Sequence, residues 1–439
     1  MKNTIIYIFV LFLALTACNN DDDTPTRDML PVVMSVAPVQ GSPNDVIVIY
    51  GKNFSTSRTG NKVTIGNMPA TVLEASENRL EVVVPEGEGK QEVKVETGGA
   101  PVSGDFPFFS YAVPQDIYIV STLAGNLEYG LIDGPPGTGR FRGPEGVTMA
   151  PDGSVVVTDR TNNAIRRLTP DGLVGTIAGN GTKGYQNGPA NQALLNYPWK
   201  SCVDSEGNIY IAERDNHVIR KIDINGIVST IAGNSSRGFK DGAALEAQFN
   251  QPLDIAVDND RNLYIADNLN HRIRKLTPDG QVTTIAGSVS GFKDGNGSEA
   301  LFANPSGVCT DAEGNVFVAD RFNHRIRKIN TEGQVSTVAG SGSTGATDGE
   351  SPDAEFNNPY GVDINTDGDI VVADLSNHKI RLISEGKVTT VAGTSSGFLN
   401  GTGNAAQFYN PSDVTFAGDI IYVADLGNNM VRKIVKKQE

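Results

Sequence analysis

The sequence lacks an excess of basic residues, which excludes one large class of partners. Its 36 Lys and Arg residues are outnumbered by 51 Asp and Glu residues, so the formal net charge is −15 at pH 7. Proteins that bind nucleic acid need a basic patch that releases counterions from the phosphates. We therefore expect no nucleic-acid partner, and the overall charge favours a neutral or cationic ligand.

Cysteine is also scarce, with three residues in a chain of 439. Cys18 lies in the N-terminal leader, which leaves Cys202 and Cys309 for the rest of the chain. This number is too small for a disulfide scaffold. Because both residues follow a recurring proline by four positions, we expect two small buried thiols on innermost strands, rather than a disulfide or a nucleophile.

Long hydrophobic runs are absent except near the N terminus. Residues 5–15 are apolar and follow a basic start, but this run is short for a membrane span. The following residues Leu15-Thr16-Ala17-Cys18 resemble a bacterial lipobox. The resemblance implies a lipoprotein signal peptide at residues 1–17 and lipidation of Cys18. A plain secretory peptide cut nearby is the alternative.

An acidic tether, residues 18–30, follows the leader and contains Asn19-Asn20-Asp21-Asp22-Asp23. It is similar to the surface-export signal of Bacteroidota lipoproteins. This implies a lipid-anchored protein of the outer membrane that is exposed on the cell surface. The alternative is a merely solvated tether, as charge runs commonly are.

Glycine is abundant, at 49 residues, and turn residues punctuate the whole chain, which predicts many short strands. Residues 31–113 alternate apolar and polar positions, for example in 46–50 and 80–84, as in a small β-sandwich. The run from Pro38 to Phe54, with its downstream Val-rich segments, is similar to IPT/TIG domains, which are immunoglobulin-like. The resemblance implies a spacer module.

Residues 114–439 repeat six times. Each unit starts at a proline, and successive prolines are 52 to 54 residues apart. Two strands follow, and the second ends in an acid with Asn at +3 and Arg at +7. The prolines are Pro144, Pro198, Pro252, Pro305, Pro359 and Pro411; the acids are Asp159, Glu213, Asp267, Asp320, Asp374 and Asp425. These residues resemble the NHL repeat, which implies a β-propeller.

A third apolar run, Val-x-Thr-Ile-Ala-Gly or a close variant, follows the arginine in five units but not in the sixth. The missing run occurs instead before the first unit, at residues 120–125. We therefore predict an all-β protein: a small immunoglobulin-like sandwich followed by a six-bladed propeller, residues 114–439, closed by an N-terminal strand. Closure removes the open edges that promote aggregation.

Residues that recur in every repeat are expected to be structural. His217, His271, His324 and His378 occupy a position that is Asn163 or Asn429 in the other two units. We expect them to meet a structural requirement of the repeat backbone rather than to bind metal. The repeated acids are expected to fix turns through backbone N–H groups, with a central cation ring as the alternative. The arginines at +7 are expected to snorkel or to pair with acids of a neighbouring strand.

Departures from the repeat give the candidate site. In a four-stranded blade, the long linkers and the Asp-x-x-Asn turns share one face, which we call the loop face. The predicted ligand-binding residues there are Trp199, Lys200, Asp254, Tyr360, Asp413, Glu145, Arg160, Arg214 and Arg321. An aromatic ring among charged groups would suit a sugar. The alternative is that Trp199 and Tyr360 merely plug the channel.

Three functions remain open. The first is a surface lipoprotein that binds a glycan for uptake, with outer-membrane importer components as partners; the domain combination resembles lipoproteins of Bacteroidota glycan-uptake loci. The second is a metal-dependent propeller enzyme, lactonase- or lyase-like, to which Asp254, Asp413 and Glu145 would contribute an incomplete ligand set. The third is a protein-interaction platform. We favour the first, which needs no cofactor, metal or catalytic residue.

Overall fold

The structure is a computed structural model that describes residues 30–101, 106–111 and 116–437. The chain divides into two units, Met1–Gln115 and Asp116–Glu439. The expected signal peptide, Cys18 and nearly all of the acidic tether lie outside the described residues. Within the described part, no helix is long and apolar enough to cross a membrane.

The first unit is a β-domain whose strands bury alternate side chains. Its strands are Val32–Ala37, Gln40–Gly41, Val46–Lys52, Asn61–Ile65, Met68–Ser76, Arg79–Val83, Lys90–Thr97, Ala100–Pro101 and Phe108–Tyr111, with a 3-10 turn at Arg58–Gly60. In Val46–Lys52, Ile47 and Ile49 are fully buried while their neighbours Val46 and Tyr50 are exposed. The strand Met68–Ser76 pairs with Asn61–Ile65 at its start and with Arg79–Val83 further along, and so connects the sheets around one core.

The second unit contains six antiparallel sheets, which are the blades and are numbered by the order of their prolines. The innermost strands are Pro144–Met149, Pro198–Val203, Pro252–Val257, Pro305–Thr310, Pro359–Ile364 and Pro411–Ala417. The second strands are Val155–Asp159, Ile209–Glu213, Leu263–Asp267, Val316–Asp320, Ile370–Asp374 and Ile420–Asp425. The third strands are Ala164–Leu168, Val218–Ile222, Arg272–Leu276, Arg325–Ile329, Lys379–Ser384 and Met430–Lys436. The predicted fold class is therefore confirmed.

The outer strands show how the ring closes. Blades 1 to 5 end in Val174–Ala178, Ile227–Ala232, Gln281–Gly287, Gln334–Ala339 and Lys387–Ala392. In blade 6 this place is taken by Tyr118–Gly125, which pairs antiparallel with Met430–Lys436, with Val120 opposite Ile434. The displaced strand that was predicted from residues 120–125 thus completes the last blade.

The linkers between blades add a feature that the repeat did not predict. In five blades a two-residue strand from the linker pairs with the outer strand and forms a fifth, short edge. These strands are Gly188–Pro189, Gly242–Ala243, Gly295–Asn296, Gly349–Glu350 and Gly401–Thr402. A 3-10 turn follows one of them, at Ala244–Glu246. Each short strand begins at a glycine with φ between +121° and +147°, a backbone conformation that side chains disfavour.

The arginine at +7 anchors each linker to its blade. In blade 1, Arg166 donates to the carboxylate of Asp159 at 2.7 Å, to the carboxylate of Asp133 at 2.7 Å and to the backbone oxygens of Arg140 and Ile132. The expected ion pair with an acid of the neighbouring strand is confirmed in all six blades. The snorkelling alternative is wrong, because all six side chains are fully buried: Arg166, Arg220, Arg274, Arg327, Arg381 and Arg432.

The repeated acids serve the same local purpose. Asp159 also accepts the backbone N–H of Arg142 and the side-chain amide of Asn162. Equivalent bonds recur in the other blades, so the expectation that these acids fix turns is confirmed. The 3-10 turns that follow them are Arg160–Asn162, Arg214–Asn216, Asn268–Asn270, Arg321–Asn323, Leu375–Asn377 and Leu426–Asn428. Each acid is bonded within its own blade, which argues against a central cation ring.

The histidines join consecutive blades. His271 has a φ of +55°, and its Nδ1 accepts the backbone N–H of Asn304 in the next blade at 3.1 Å. His217, His324 and His378 repeat this contact, whereas Asn163 and Asn429 make it with a side-chain oxygen. The expectation that this position meets a structural requirement of the repeat backbone is confirmed. Asn429 bonds to Gly143 and thereby links blade 6 to blade 1.

Candidate functional site

A cavity of about 450 Å³ opens on the loop face; we call it the cup. Its lining comes from the residues after each repeated acid, the residues before each proline and the residues directly after it. These are Glu145, Arg160, Trp199, Arg214, Gln251, Leu253, Asn268, Leu269, Asn304, Arg321, Phe322, Tyr360, Leu375, Asn410 and Leu426. The strand-order argument therefore placed these turns and linkers on one face, as the structure does.

The floor of the cup is an apolar cluster of Trp199, Leu253 and Tyr360. The indole Nε1 of Trp199 donates to the hydroxyl of Tyr360 at 2.8 Å. The guanidinium groups of Arg160 and Arg214 lie 4.8 and 4.6 Å from the centre of the indole ring. Trp199 is only 9% exposed, so its ring has no open face of the size that a sugar needs. The plug alternative for Trp199 and Tyr360 is the one that the geometry favours.

Two of the three arginines in the cup already have acidic partners. Arg160 donates to the carboxylate of Glu145 at 2.7 Å, and Glu145 is 1% exposed. Burial raises the pKa of Glu145, although Arg160 and Lys200 oppose the rise. Arg214 donates to Asp215 and to the side chain of Gln251, both at 3.1 Å.

Arg321 is different. Among the residues that the structure describes, its side chain forms no ion pair and no hydrogen bond, and its Nε is buried without a partner. Its guanidinium lies 4.8 Å from the ring centre of Phe322 and 5.0 Å from that of Tyr360. Aromatic packing thus holds this cation at the cup while leaving its terminal Nη–H donors without a partner.

Lys200, Asp254 and Asp413 do not line the cup, and their prediction as loop-face ligands is wrong. They lie two residues after their prolines, one step deeper in the innermost strand than the floor residues. Lys200 is fully buried, and its ammonium lies 2.9 Å from Asp413 and 3.3 Å from Asp254. Burial raises the pKa of Asp254 to about 7 even though the ammonium of Lys200 opposes this rise. We call these three residues the axial triad.

The axial triad connects all six blades. Lys200 of blade 2 also donates to the backbone oxygen of Tyr360 in blade 5. Asp254 of blade 3 accepts the N–H of Val308 in blade 4, and Asp413 of blade 6 accepts the N–H of Val147 in blade 1. The triad is therefore structural: its charges are already bonded to one another and to the surrounding backbone.

Glycine at the equivalent position in the other blades makes room for the triad. A Cβ added to Gly361 would lie 2.3 Å from a carboxylate oxygen of Asp413, and one added to Gly307 would lie 2.4 Å from the backbone oxygen of Tyr360. Neither distance is sterically possible. The presence of glycine in three blades and a charged residue in the other three, two positions after the proline, is thus a packing requirement that sequence reasoning took for ligand variability.

A second, smaller cavity of about 190 Å³ opens between the same innermost strands on the other side of the floor. Asp254, Asp413, Cys202 and Cys309 line it. Both cysteines are buried and free, so the prediction of two buried thiols is confirmed. Burial raises the pKa of each thiol.

The metal-ligand alternative finds no arrangement of side chains to support it. Within residues 30–101, 106–111 and 116–437, no three His, Cys, Asp or Glu side chains lie close enough to hold a metal ion. Of the three carboxylates considered for a central metal, Asp254 and Asp413 share the ammonium of Lys200, and Glu145 is bonded to Arg160.

Phe322 and three amide side chains line the cup although they were not among the predicted ligand-binding residues. Phe322 is 50% exposed and is the aromatic side chain that the cup presents to solvent. Gln251, Asn304 and Asn410 precede their prolines with φ between +52° and +55°. Their position before the recurring proline was a usable signal, because an amide occurs there in four of the six repeats.

Comparison with known families assigns both units. Residues 31–111 match the IPT/TIG domain, and residues 141–168, 249–276, 302–329 and 356–381 match the NHL repeat. The chain carries an IPT/TIG domain followed by an NHL-repeat propeller. The matched NHL residues fall in blades 1, 3, 4 and 5.

Among curated relatives, SUPPRESSOR OF QUENCHING 1 of Arabidopsis thaliana is 33% identical over 285 residues, which is 60% of this chain and 27% of that protein. NHL repeat-containing protein 2 of Bos taurus is 28% identical and covers 63% of this chain. This chain spans less than half the length of either relative. A solved structure, an auxiliary nutrient binding protein from Bacteroides ovatus, has a TM-score of 0.57 and 19% identity; the match covers 94% of this chain and 100% of that one.

Proposed function

We propose that this NHL-repeat protein is a lipid-anchored lipoprotein of the outer membrane that binds a glycan nutrient in its cup and presents it for uptake. The observation that carries the proposal is the cup itself. It combines an exposed aromatic ring, Phe322, with the amides of Gln251, Asn304 and Asn410 in a cavity of about 450 Å³. Aromatic faces pack on the apolar surfaces of sugars, while amides bind hydroxyl groups.

The structural similarity to a Bacteroides ovatus protein named for nutrient binding supports this proposal, since the two chains match over nearly their whole lengths. The sequence Leu15-Thr16-Ala17-Cys18 supports the lipid anchor, and the acidic residues after it support export to the surface. Components of an outer-membrane importer would then be the protein partners.

Glycan binding is tested by titrating the full chain carrying Cys18→Ser, so that no lipid is attached, with a panel of plant and host oligosaccharides. Phe322→Ala should weaken the binding by about fivefold or more, as expected for the loss of a central contact. Tyr129→Ala is the matched control, because Tyr129 is 63% exposed and does not line the cup. Absence of binding across the panel would refute the proposal, as would equal effects of the two variants.

The anchor is tested separately in cells. A labelled fatty acid should be incorporated into the wild-type chain and not into Cys18→Ala, and protease added to intact cells should digest the wild-type protein. Incorporation that persists in the variant would contradict lipidation of Cys18. Resistance to the protease in intact cells, with digestion after lysis, would contradict surface exposure.

A further inference from the structure

The charge of the cup is opposite to the charge of the protein. The whole chain carries a formal net charge of −15, yet the charged residues that line the cup are three arginines and one glutamate, a difference of +2. The overall composition favoured a neutral or cationic ligand. The charged residues of the cup favour an anionic one.

The basic character of the cup is concentrated where an anion could reach it. Glu145 is 1% exposed and is bonded to Arg160, so it presents almost no negative surface to the cavity. The side chains of Arg160 and Arg214 are 24% and 29% exposed to solvent. Arg321 lacks any acidic partner among the described residues, and its Nε is buried without an acceptor. The donors that Arg321 offers to a ligand in the cup are therefore its terminal Nη–H groups.

The propeller uses a fixed chemistry for arginines that are purely structural. Each arginine at +7 donates to one acid at the end of the second strand, to backbone oxygens and, in most blades, to a second acid in the linker. The arginines at +7 also lie over aromatic rings, as Arg166 does over Phe141, but Arg321 has only its ring contacts, with Phe322 and Tyr360, and no ion pair among the described residues. Stacking of this kind fixes the position of a guanidinium without consuming its donors, as is common where arginine binds a planar anion.

We infer that the cup recognises an anionic group, a carboxylate or a sulfate ester, carried by the glycan, with Arg321 as its principal binding residue. This inference rests on the proposed function and narrows it to acidic glycans. The planar guanidinium matches two oxygens of such a group at once, and hydrogen bonds between charged partners are stronger than those between neutral ones. Phe322, beside Arg321, would contact the sugar ring that carries the group.

The test compares matched ligands on the full chain carrying Cys18→Ser. One pair is an oligogalacturonate and its methyl ester, and the other is a chondroitin sulfate oligosaccharide and its desulfated form; neutral xylo- and malto-oligosaccharides complete the set. We expect an acidic member to bind at least tenfold more tightly than its neutralised counterpart. The pair that shows this difference identifies the anion as carboxylate or sulfate. Binding should also weaken as NaCl is raised, since salt screens exposed charges.

Two variants locate the anion. Arg321→Gln should weaken binding of the acidic glycan by about tenfold or more, as the loss of one charged hydrogen bond predicts. Arg167→Gln, which removes the same charge from a side chain that is 51% exposed outside the cup, should leave the affinity unchanged. The thermal unfolding temperature of Arg321→Gln should stay close to that of the wild type, because the variant loses packing on Phe322 and Tyr360 but no hydrogen bond within the described protein.

The possible failures are distinguishable. Neutral oligosaccharides that bind at the cup, with weakening by Phe322→Ala but not by Arg321→Gln, would overturn the inference and leave the proposed function in place. Acidic and neutralised ligands of equal affinity would do the same. Binding of inorganic sulfate that depends on Arg321, with no binding of any glycan, would support the anion site and refute the proposed function.

Discussion

The indole of Trp199 donates a hydrogen bond of 2.8 Å to the hydroxyl of Tyr360, although the two residues are 161 positions apart and belong to blades 2 and 5. The bond crosses the axis of the propeller and separates the cup from the smaller cavity between the innermost strands. Because both side chains are at least nine-tenths buried, the bond is shielded from water. It also explains why the single tryptophan of the chain is structural.

Tyr360→Phe should therefore destabilise the propeller by about 1–3 kcal/mol, because it leaves the buried indole N–H of Trp199 without an acceptor. Urea unfolding followed by tryptophan fluorescence measures this loss. Tyr185→Phe is the control, since the Tyr185 hydroxyl bonds to Thr230 on a side chain that is 47% exposed, and should change stability by less than about 0.5 kcal/mol. Equal stability of the two variants would show that the Trp199 bond contributes nothing.

The axial triad gives a second prediction. Replacing Lys200 by Met leaves two buried carboxylates without their ammonium, and breaking a buried ion network in this way costs about 3–5 kcal/mol. The loss should be largest near pH 8 and smaller near pH 5, because protonation of Asp254 and Asp413 relieves their repulsion in the variant. Urea unfolding at both pH values measures it.

Lys240→Met is the matched control for the triad, because Lys240 is about half exposed and pairs with Glu246 on the surface. Its removal should cost less than about 1 kcal/mol at either pH. A Lys200→Met protein whose deficit is equally large at pH 5 and pH 8 would contradict the assignment of that deficit to unpaired carboxylates.

The histidine contacts predict a dependence of stability on pH. Partial burial lowers the pKa of His217, His271, His324 and His378 below the usual value near 6.5. The unfolded chain therefore binds protons more readily than the folded one. The stability from these contacts is complete above about pH 6.5 and is lost as the pH falls through the lowered pKa of the folded protein. Protonation at Nδ1 removes the acceptor that the next blade uses.

His271→Asn tests this because blades 1 and 6 carry Asn at the same position and keep the contact. The variant should match the wild type within about 0.5 kcal/mol at pH 8 and lose less stability between pH 7 and pH 5. His271→Ala should cost about 1–2 kcal/mol at pH 8, since it loses the bond to Asn304 and does not favour a φ of +55°. A His271→Asn protein with an unchanged pH profile would refute the role of the imidazole.

The sequence was sufficient to predict the architecture because the number and closure of the blades follow from the repeats. Six prolines, six acids and one displaced strand determine the number of blades and the closure, and the strand order determines which face carries the long loops. The same repetition correctly assigned the four histidines and the repeated acids to structural roles. Residues that recur at a fixed spacing indicate hydrogen bonds that form in the same way in every blade.

The depth of each side chain could not be predicted in the same way. The pairing of the innermost and second strands is irregular just after each proline, for example between Pro252 and Asp254. This irregularity places residues one and two positions after the proline on different levels. Trp199 is thus in the floor while Lys200 lies beneath it. Contacts such as that of Lys200 with Asp413 join residues more than 200 positions apart, and a local pattern carries no information about them.

Closure by the displaced strand predicts that one substitution near residue 120 acts on the whole propeller. Val120 is 1% exposed and lies between Ile434 and Gly401 in blade 6, while its neighbour Ile119 is 38% exposed. Val120→Asp should cost more than about 4 kcal/mol, because it buries a charge at the seam, and should promote aggregation by freeing the edge of blade 6. Ile119→Asp, which places the same charge on the exposed side of the same strand, should cost much less. Thermal unfolding and light scattering compare the two variants. Similar behaviour of both would show that burial of Val120 where the strand closes blade 6 is not critical for stability.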